Sequence, residues 1–341
     1  MKYNTSAIIQ RVYVEMNLNF KVEEARQRLA EDISIAGQLA IVLEVAGYPK
    51  PGNVHRFHDF RDTRFEHFLA GGVAVGPSLK TAALRGIEAR LGMRQMSEIG
   101  LGAAIYSCVE AARRWHKGGN TLLGVAALIV PLAAGAGMAA VEGKSPDPRA
   151  LRQSTTLAMK FTTVEDAVEF YRAVASAGAG GLGVVEGAAA PDVANSSAEE
   201  ELKLKGLRLI DVMRVSAEWD EVSREWVEEM NVTFQIGHPT IVEVFKQTGD
   251  INIATVHCYL KILSNRPDTL IARKLGLEAA KVVSKKAGEV LAAGGLLTAE
   301  GRRSLEIFDI NLREDNRYNP GTTADLTAAS LMVAILTGLR F

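Results

Sequence analysis

Hydrophobic residues recur along most of the chain at steps of three and four, the period of an amphipathic helix. Val22, Ala25, Leu29, Ile33, Ala36, Leu39, Ala40 and Leu43 set the first run, which predicts a helix from Lys21 with Glu44 at its end. Phe65, Phe68, Leu69, Val73 and Val75 restart the pattern, with Pro77 just beyond. Gly86 to Met93 reads as a short amphipathic piece ahead of a helix near Ile99–Trp115. Asp147-Pro148 opens another helix, and Thr163-Val-Glu-Asp166 resembles a capping box for the next. Further on, Trp219, Val222, Trp226 and Met230 form a helical stripe expected to be core, and Asp250 is placed to cap Ile251–Leu263. Pro267-Asp-Thr269 starts a helix carrying Arg273 and Lys274, Gly276 to Leu291 continues in helical style, and Ala328–Leu339 is the final helix. No β-α alternation appears, no GxxxxGK[ST] loop occurs and no GxGxxG follows a strand, so the known phosphate-loop folds are excluded. The pattern predicts an all-α fold, one large helical domain over residues 26–341 behind an N-terminal extension, 1–25. Residues 178–197, rich in Gly, Ala and Ser, read as a flexible loop that could serve as a lid.

One run is apolar on every side. Leu122–Val141 has twenty residues without a charge, the length of a membrane span. Its Ala and Gly content, Pro131 and its isolation in the chain favour a buried central helix instead. Composition agrees: 341 residues, 48% hydrophobic and 23% charged, are ordinary for a globular protein. A net charge of −1 gives no basic field for nucleic acid or an anionic membrane. Cys108 and Cys258 stand too far apart for a disulfide scaffold or a CxxC site, and the N-terminal residues lack the apolar core of a signal peptide. The expectation is a cytoplasmic protein; a homo-oligomer is left open.

The polar chemistry gathers in turns between helices. Glu44-Val-Ala-Gly-Tyr-Pro-Lys-Pro-Gly-Asn-Val-His-Arg56 closes the first helix and holds Lys50 between two prolines, each fixing its own φ and restricting the residue before it. Gly52 lets the backbone approach a ligand or take a positive φ, and Arg61 and Asp62 come soon after. Lys117-Gly-Gly-Asn-Thr-Leu-Leu-Gly124 breaks one helix and begins the apolar one, with Asn120 or Thr121 as its cap; free N–H groups and the helix dipole make such a turn an anion site. Asn319-Pro-Gly-Thr-Thr-Ala-Asp-Leu326 leads into the last helix and places Asp325 in its first turn.

Three of these stretches, in this order, resemble the signatures of the triphosphoribosyl-dephospho-CoA synthase family: Glu44-Val through Pro49-Lys-Pro-Gly52 with Arg61-Asp62, Phe65 and Phe68-Leu69; Gly118-Gly-Asn-Thr with Gly124; and Gly321-Thr-Thr-Ala-Asp-Leu326. Asp268-Thr269 with Arg273 matches a fourth, and the agreement runs over about residues 30–340. The resemblance implies an all-helical transferase that moves the 5-triphosphoribosyl group of ATP to the 2′-hydroxyl of 3′-dephospho-CoA and releases adenine. The chain departs from the bacterial pattern at His55, where an aspartate is usual, and at Leu122 and Leu123, where His-Lys is usual; the loop before Asp62 is also shorter. In these respects it looks closer to an archaeal-type branch.

Breaking the bond between adenine and C1′ develops oxocarbenium character, as in glycoside hydrolysis, and calls for a carboxylate to activate the acceptor. A triphosphate that stays on the transferred group calls for Mg²⁺ and cationic side chains. The expected roles are therefore Glu44, Asp62 and Asp325 as carboxylates shared between Mg²⁺ and general base. Lys50, Arg56, Arg61, Gly52, Gly119, Asn120, Thr121 and, in second rank, Arg273 are expected at phosphate or substrate. His55 is expected at the metal, a phosphate or the leaving base. Two other readings compete: a phosphotransferase or other transferase of coenzyme assembly, and a non-catalytic nucleotide-binding helical protein.

Overall fold

A computed structural model describes residues 5–140, 145–178 and 190–341, with side chains from Lys21 onward. Of the loop read at 178–197, residues 179–189 lie outside the described residues. The rest is helical, without a β-strand among the described residues: α1 (Thr5–Ala46), α2 (Phe65–Ala74), α3 (Gly76–Arg90), α4 (Leu101–Trp115), α5 (Leu123–Ala139), α6 (Pro148–Lys160), α7 (Val164–Ala177) and α8 (Ala198–Lys205). There follow α9 (Leu209–Ser216), α10 (Glu221–Val227), α11 (His238–Thr248), α12 (Ile251–Asn265), α13 (Thr269–Leu275), α14 (Leu277–Ala292), α15 (Ala299–Arg313) and α16 (Gly321–Leu336).

The apolar run of the sequence becomes α5, buried from Val125 through Met138. Helix α16 is almost equally buried, Asp325 being the exception within its span after Gly321. A helix without a polar face can be stable in water only inside other helices. The two pack on each other; α1, α3, α4 and α6 wrap α5, and α1, α11 and α12 cover α16. Against α3 the approach is so close that backbones meet. A Cβ on Gly86 would stand 2.1 Å from the Ala134 carbonyl oxygen, and one on Gly137 would stand 2.2 Å from that of Ala83. Both cysteines are buried core residues. No helix among the described residues is long and apolar enough to cross a membrane.

A smaller core joins α12 to α13, α14 and α15 through Val256, Tyr259, Leu260, Val283, Leu305 and Phe308. The other face of α12, with Ala254, Cys258 and Ile262, belongs to the main core, so this helix ties the two together.

Several local readings hold at atomic level. Thr163 and Asp166 form a reciprocal capping box, with Asp166 Oδ2 accepting the Thr163 N–H at 2.8 Å. Asp250 caps α12 through the N–H groups of Asn252 and Ile253. Others need correction. Pro77, beyond the Phe65 run, sits in the first turn of α3, where its missing N–H costs nothing, and the Gly86 piece is not separate but the end of that same helix. The stripe from Trp219 to Met230 is not one helix. Helix α10 spans only seven residues, Trp219 precedes it, and Met230 lies beyond it at a positive φ of 59°. Val222, Trp226 and Met230 are core as expected, with the Trp226 indole N–H donating to the Ala127 carbonyl at 2.9 Å.

The α3–α5 contact gives a direct test. Gly86→Ala should lower the stability of the fold by about 1–3 kcal/mol, the usual cost of forcing atoms into a filled core. Urea unfolding followed by circular dichroism measures it. A variant as stable as the parent would show that the two backbones can separate freely.

Candidate functional site

A cavity of about 320 Å³ opens where the ends of several helices converge. Its polar wall takes Glu44 from the last turn of α1, Asn53 from the turn after it, Asn120 and Thr121 from the turn before α5, and Asn319, Thr322 and Asp325 from the start of α16. Arg273 of α13 and Asp220, which caps α10, complete it. The N-termini of the two most buried helices thus reach the same space, and their dipoles favour negative charge there.

The floor is a chain of polar contacts. Lys50, fully buried, donates from Nζ to Glu44 Oε1 and to Asn53 Oδ1 at 3.0 Å. Asn53 Nδ2 in turn donates to Asn319 Oδ1 at 2.8 Å. The turn after α1 is thereby tied to the turn before α16. Burial pushes the Glu44 carboxyl up and the Lys50 ammonium down, while each opposes the other's shift, so their proton affinities converge. Lys50 therefore does not stand free at a phosphate, as the sequence suggested; it lies behind the wall and aims two groups that face the cavity.

Asp325 is partly buried and, among the described residues, receives no hydrogen bond from the protein. Burial, followed by the charges of Glu44 and Asp268, pushes its pKa well above the usual carboxylate range. It lies against the first turn of α5, where a Cβ on Gly124 would be 2.0 Å from Asp325 Oδ2. Only glycine leaves room for that carboxylate, which explains why a glycine in one turn and an aspartate in another belong to one site.

Buried Asp268 holds two helix starts at once. Its Oδ1 accepts the N–H groups of Leu270 and Ile271 in α13, and its Oδ2 accepts the N–H and hydroxyl of Thr323 in α16. That fixes Arg273 relative to Asp325. Arg273 Nη1 donates to Asp220 Oδ1 at 2.8 Å, while its Nε is buried without an acceptor among the described residues.

The glycine turn before α5 is held by a histidine pair. His116 Nδ1 accepts the Gly118 N–H and Nε2 lies 3.2 Å from Thr121 Oγ1, while its ring stacks on His67 at 5.1 Å between centroids. Asn120 uses its Oδ1 to accept the N–H groups of Leu122 and Leu123, so part of this expected phosphate ligand is spent capping the helix. Gly119 donates its N–H to the Asp62 carbonyl.

Other expected site residues stand apart. Asp62 and Arg61 are exposed and outside the cavity wall, although Thr63 reaches it and Gly119 lies against Asp62. Arg56 is exposed and donates from Nε to the Ala46 carbonyl. His55 is buried away from the cavity, its Nε2 2.9 Å from the Arg313 guanidinium and its Nδ1 accepting the Phe57 N–H. Gly52 has a φ of 70° and gives its N–H to Asp309, so its freedom serves the turn rather than a ligand. Asn53, Asn319, Asp220 and Trp219 face the cavity without having been assigned to it from the sequence. The two asparagines flank the glycines of two motifs, which is a usable signal; Asp220 and Trp219 carry none.

The model of the family described as ATP:dephospho-CoA triphosphoribosyl transferase matches residues 30–340. A provisionally named 2-(5″-triphosphoribosyl)-3′-dephosphocoenzyme-A synthase of Azotobacter vinelandii is 37% identical over 84 residues, 25% of this chain and 28% of that protein. The synthase of that name from Klebsiella pneumoniae is 30% identical over 92 residues, 27% of this chain and 30% of its own length. The aligned stretches therefore span less than a third of these curated relatives. A crystal structure of an Archaeoglobus fulgidus protein, provisionally assigned as a triphosphoribosyl-dephospho-CoA synthase, superposes with a TM-score of 0.57 at 22% identity. It covers 80% of this chain and 100% of that one, and it shows a shared fold.

Removing one half of the buried pair tests the floor. Lys50→Met leaves the Glu44 carboxylate without its partner and should cost about 3–5 kcal/mol, whereas Glu44→Gln together with Lys50→Met should recover a large part of that. Denaturant unfolding of the parent, single and double variants reads the difference. A double variant that loses as much as the two single variants together would show that the pair is not coupled.

Proposed function

From the premise that the chain belongs to the ATP:dephospho-CoA triphosphoribosyl transferase family, we propose that this cavity transfers the triphosphoribosyl group of ATP to the 2′-hydroxyl of 3′-dephospho-CoA. The observation that carries the reading is the meeting of Glu44 and Asp325 on one cavity wall, beside the N-termini of α5 and α16. In the reaction the acceptor hydroxyl oxygen bonds to C1′ of ATP, the bond from C1′ to the adenine nitrogen breaks, and adenine departs with the bonding pair. The hydroxyl proton passes to a carboxylate and, in sum, to adenine. A carboxylate beside C1′ serves twice, taking that proton and countering the positive charge that develops on the ribose.

Glu44 is pinned by Lys50, whereas Asp325 has no protein donor among the described residues, so the two are differently prepared for these tasks. Arg273 has a buried Nε without an acceptor among the described residues and suits a phosphate oxygen. Mg²⁺ fits the same wall: it is usually held by one or two carboxylates plus substrate phosphates, and Glu44 and Asp325 supply two. Among the described residues no group of three acidic, His or Cys side chains is placed to hold a metal, so on this reading the remaining ligands of the ion would come from the triphosphate. When bound, that ion neutralises phosphate charge that Arg273 alone cannot balance. Asp62 and Arg56, off the wall, are not given catalytic or phosphate roles in this proposal.

The decisive assay incubates the protein with ATP, Mg²⁺ and 3′-dephospho-CoA and separates bases from nucleotides by chromatography. Adenine should appear in step with the new coenzyme product, and only when the acceptor is present. ADP in its place would move the chemistry to phosphorus and sink the proposal. Glu44→Gln and Asp325→Asn should each cut turnover by about 10²-fold or more, as expected when a group that moves a proton in the transition state is lost. Chelation of divalent cations should abolish ATP binding, read by calorimetry; undiminished binding in excess chelator would remove Mg²⁺ from the scheme.

A further inference from the structure

The cavity changes character away from Glu44 and Asp325. Toward α7 and α9 its wall includes Phe170, Tyr171 and Val174, Val212 and Val215, and Trp219 from the turn before α10. Tyr171 spends its hydroxyl on the Pro191 carbonyl at 2.7 Å, leaving its ring as an apolar element of the wall. Among the described residues the close ring pairs involve neither Trp219 nor Phe170, and no acceptor meets the Trp219 indole N–H. Of the two carboxylates beside these residues, Asp220, next to Trp219, has its oxygens taken by Arg273 and Ser223, whereas Asp192 accepts the Ala194 N–H at 2.9 Å on Oδ1 and its Oδ2 has no partner among the described residues.

An apolar, aromatic wall with one anionic acceptor and one free N–H donor suits a flat heterocycle that offers faces to cover and polar points on its edge. Adenine has that pattern: two N–H donors on its 6-amino group and lone pairs on its ring nitrogens. A 6-oxo purine turns an acceptor toward the same carboxylate and is repelled. A pantetheine-like arm has no π-face and brings two amides, each wanting both a donor and an acceptor. We propose that this compartment seats an adenine ring, Trp219 covering the ring and Asp192 accepting from its 6-amino group. The inference rests on the reading that the cavity takes ATP. It adds where the base lies and what selects it. ATP and 3′-dephospho-CoA both carry adenine, so the shared chemistry is the ring, and the source is settled by titrating each alone.

The test is a binding measurement that needs no turnover. Tryptophan emission of the full chain is titrated with Mg²⁺-ATP, Mg²⁺-ITP, 3′-dephospho-CoA and pantetheine. Trp115 is exposed and Trp226 is buried with its N–H already bonded, so Trp219 is the reporter expected to respond. Adenine ligands should quench the emission, and Trp219→Phe should remove most of the quench while leaving the far-ultraviolet spectrum unchanged. ITP should bind about tenfold more weakly than ATP, and Asp192→Asn, at a partly exposed position, should bring the two within about threefold. Quenching by ATP alone places the donor's base there; quenching by 3′-dephospho-CoA alone places the acceptor's; either supports the assignment. Equal affinity for ATP and ITP, an unchanged ratio in Asp192→Asn, or quenching by pantetheine but by neither adenine ligand would overturn it. Selective ATP binding without adenine release would instead strike the proposed reaction and leave this compartment standing.

Discussion

Two helices with no water-compatible face, α5 and α16, constrain everything else, because each must be enclosed on all sides and only the middle of a bundle offers that. Placed side by side they bring their N-termini to one end of the molecule, and the cavity forms there. The apolar interior and the polar site are thus one arrangement seen at its two ends. Burial of the helix bodies provides the driving force, while the helix starts supply the dipoles and turns that a charged ligand needs. The few polar groups buried near those starts, Asp268 above all, are satisfied by backbone N–H groups they help to order, so their desolvation is offset locally.

The buried pair of Lys50 and Glu44 sets the electrostatics of this end. Taking both charges out of water is costly, and a pair alone often does no better than apolar neighbours would. Its worth here lies in direction. The ammonium leaves Glu44 and Asn53 facing the cavity, and Asn53 reaches across to Asn319. The carboxylates on the wall are then unequal: Glu44 and Asp220 each bond a cationic side chain, and among the described residues Asp325 bonds none. An uncompensated carboxylate next to two helix N-termini is where a missing positive charge or proton is felt most.

Much of the architecture was legible because it depends on period and punctuation. The all-round apolarity of Leu122–Val141, the caps at Thr163 and Asp250, and the turns carrying Glu44 and Asp325 all act over a few residues. The Gly86 piece was read apart from the helix that Pro77 opens because a proline permits a helix start as readily as a stop, and only the run beyond it decides between them. The site was half legible. Residue chemistry marked Glu44, Asn120, Thr121, Arg273 and Asp325, which do line the cavity. It marked Lys50 and His55 equally well, because the same side chains serve buried scaffolding, and only packing tells which way they point. Trp219 and Asp192 are drawn in by tertiary arrangement alone.

The hydrogen bond between Asn53 and Asn319 spans 266 positions of sequence. A chain emerging from the ribosome can build α1 and much of the α3–α5 packing early, yet the cavity floor stays unfinished until the turn at Asn319 and the start of α16 have been made. Contacts of such separation are the slow ones to close, and domains tend to complete them last. Until then the apolar side of α5 that α16 will cover is bare. The protein therefore passes through a stage of synthesis in which it is sticky while its cavity is still without a floor, and anything that needs the whole wall can hold only a chain that has reached α16.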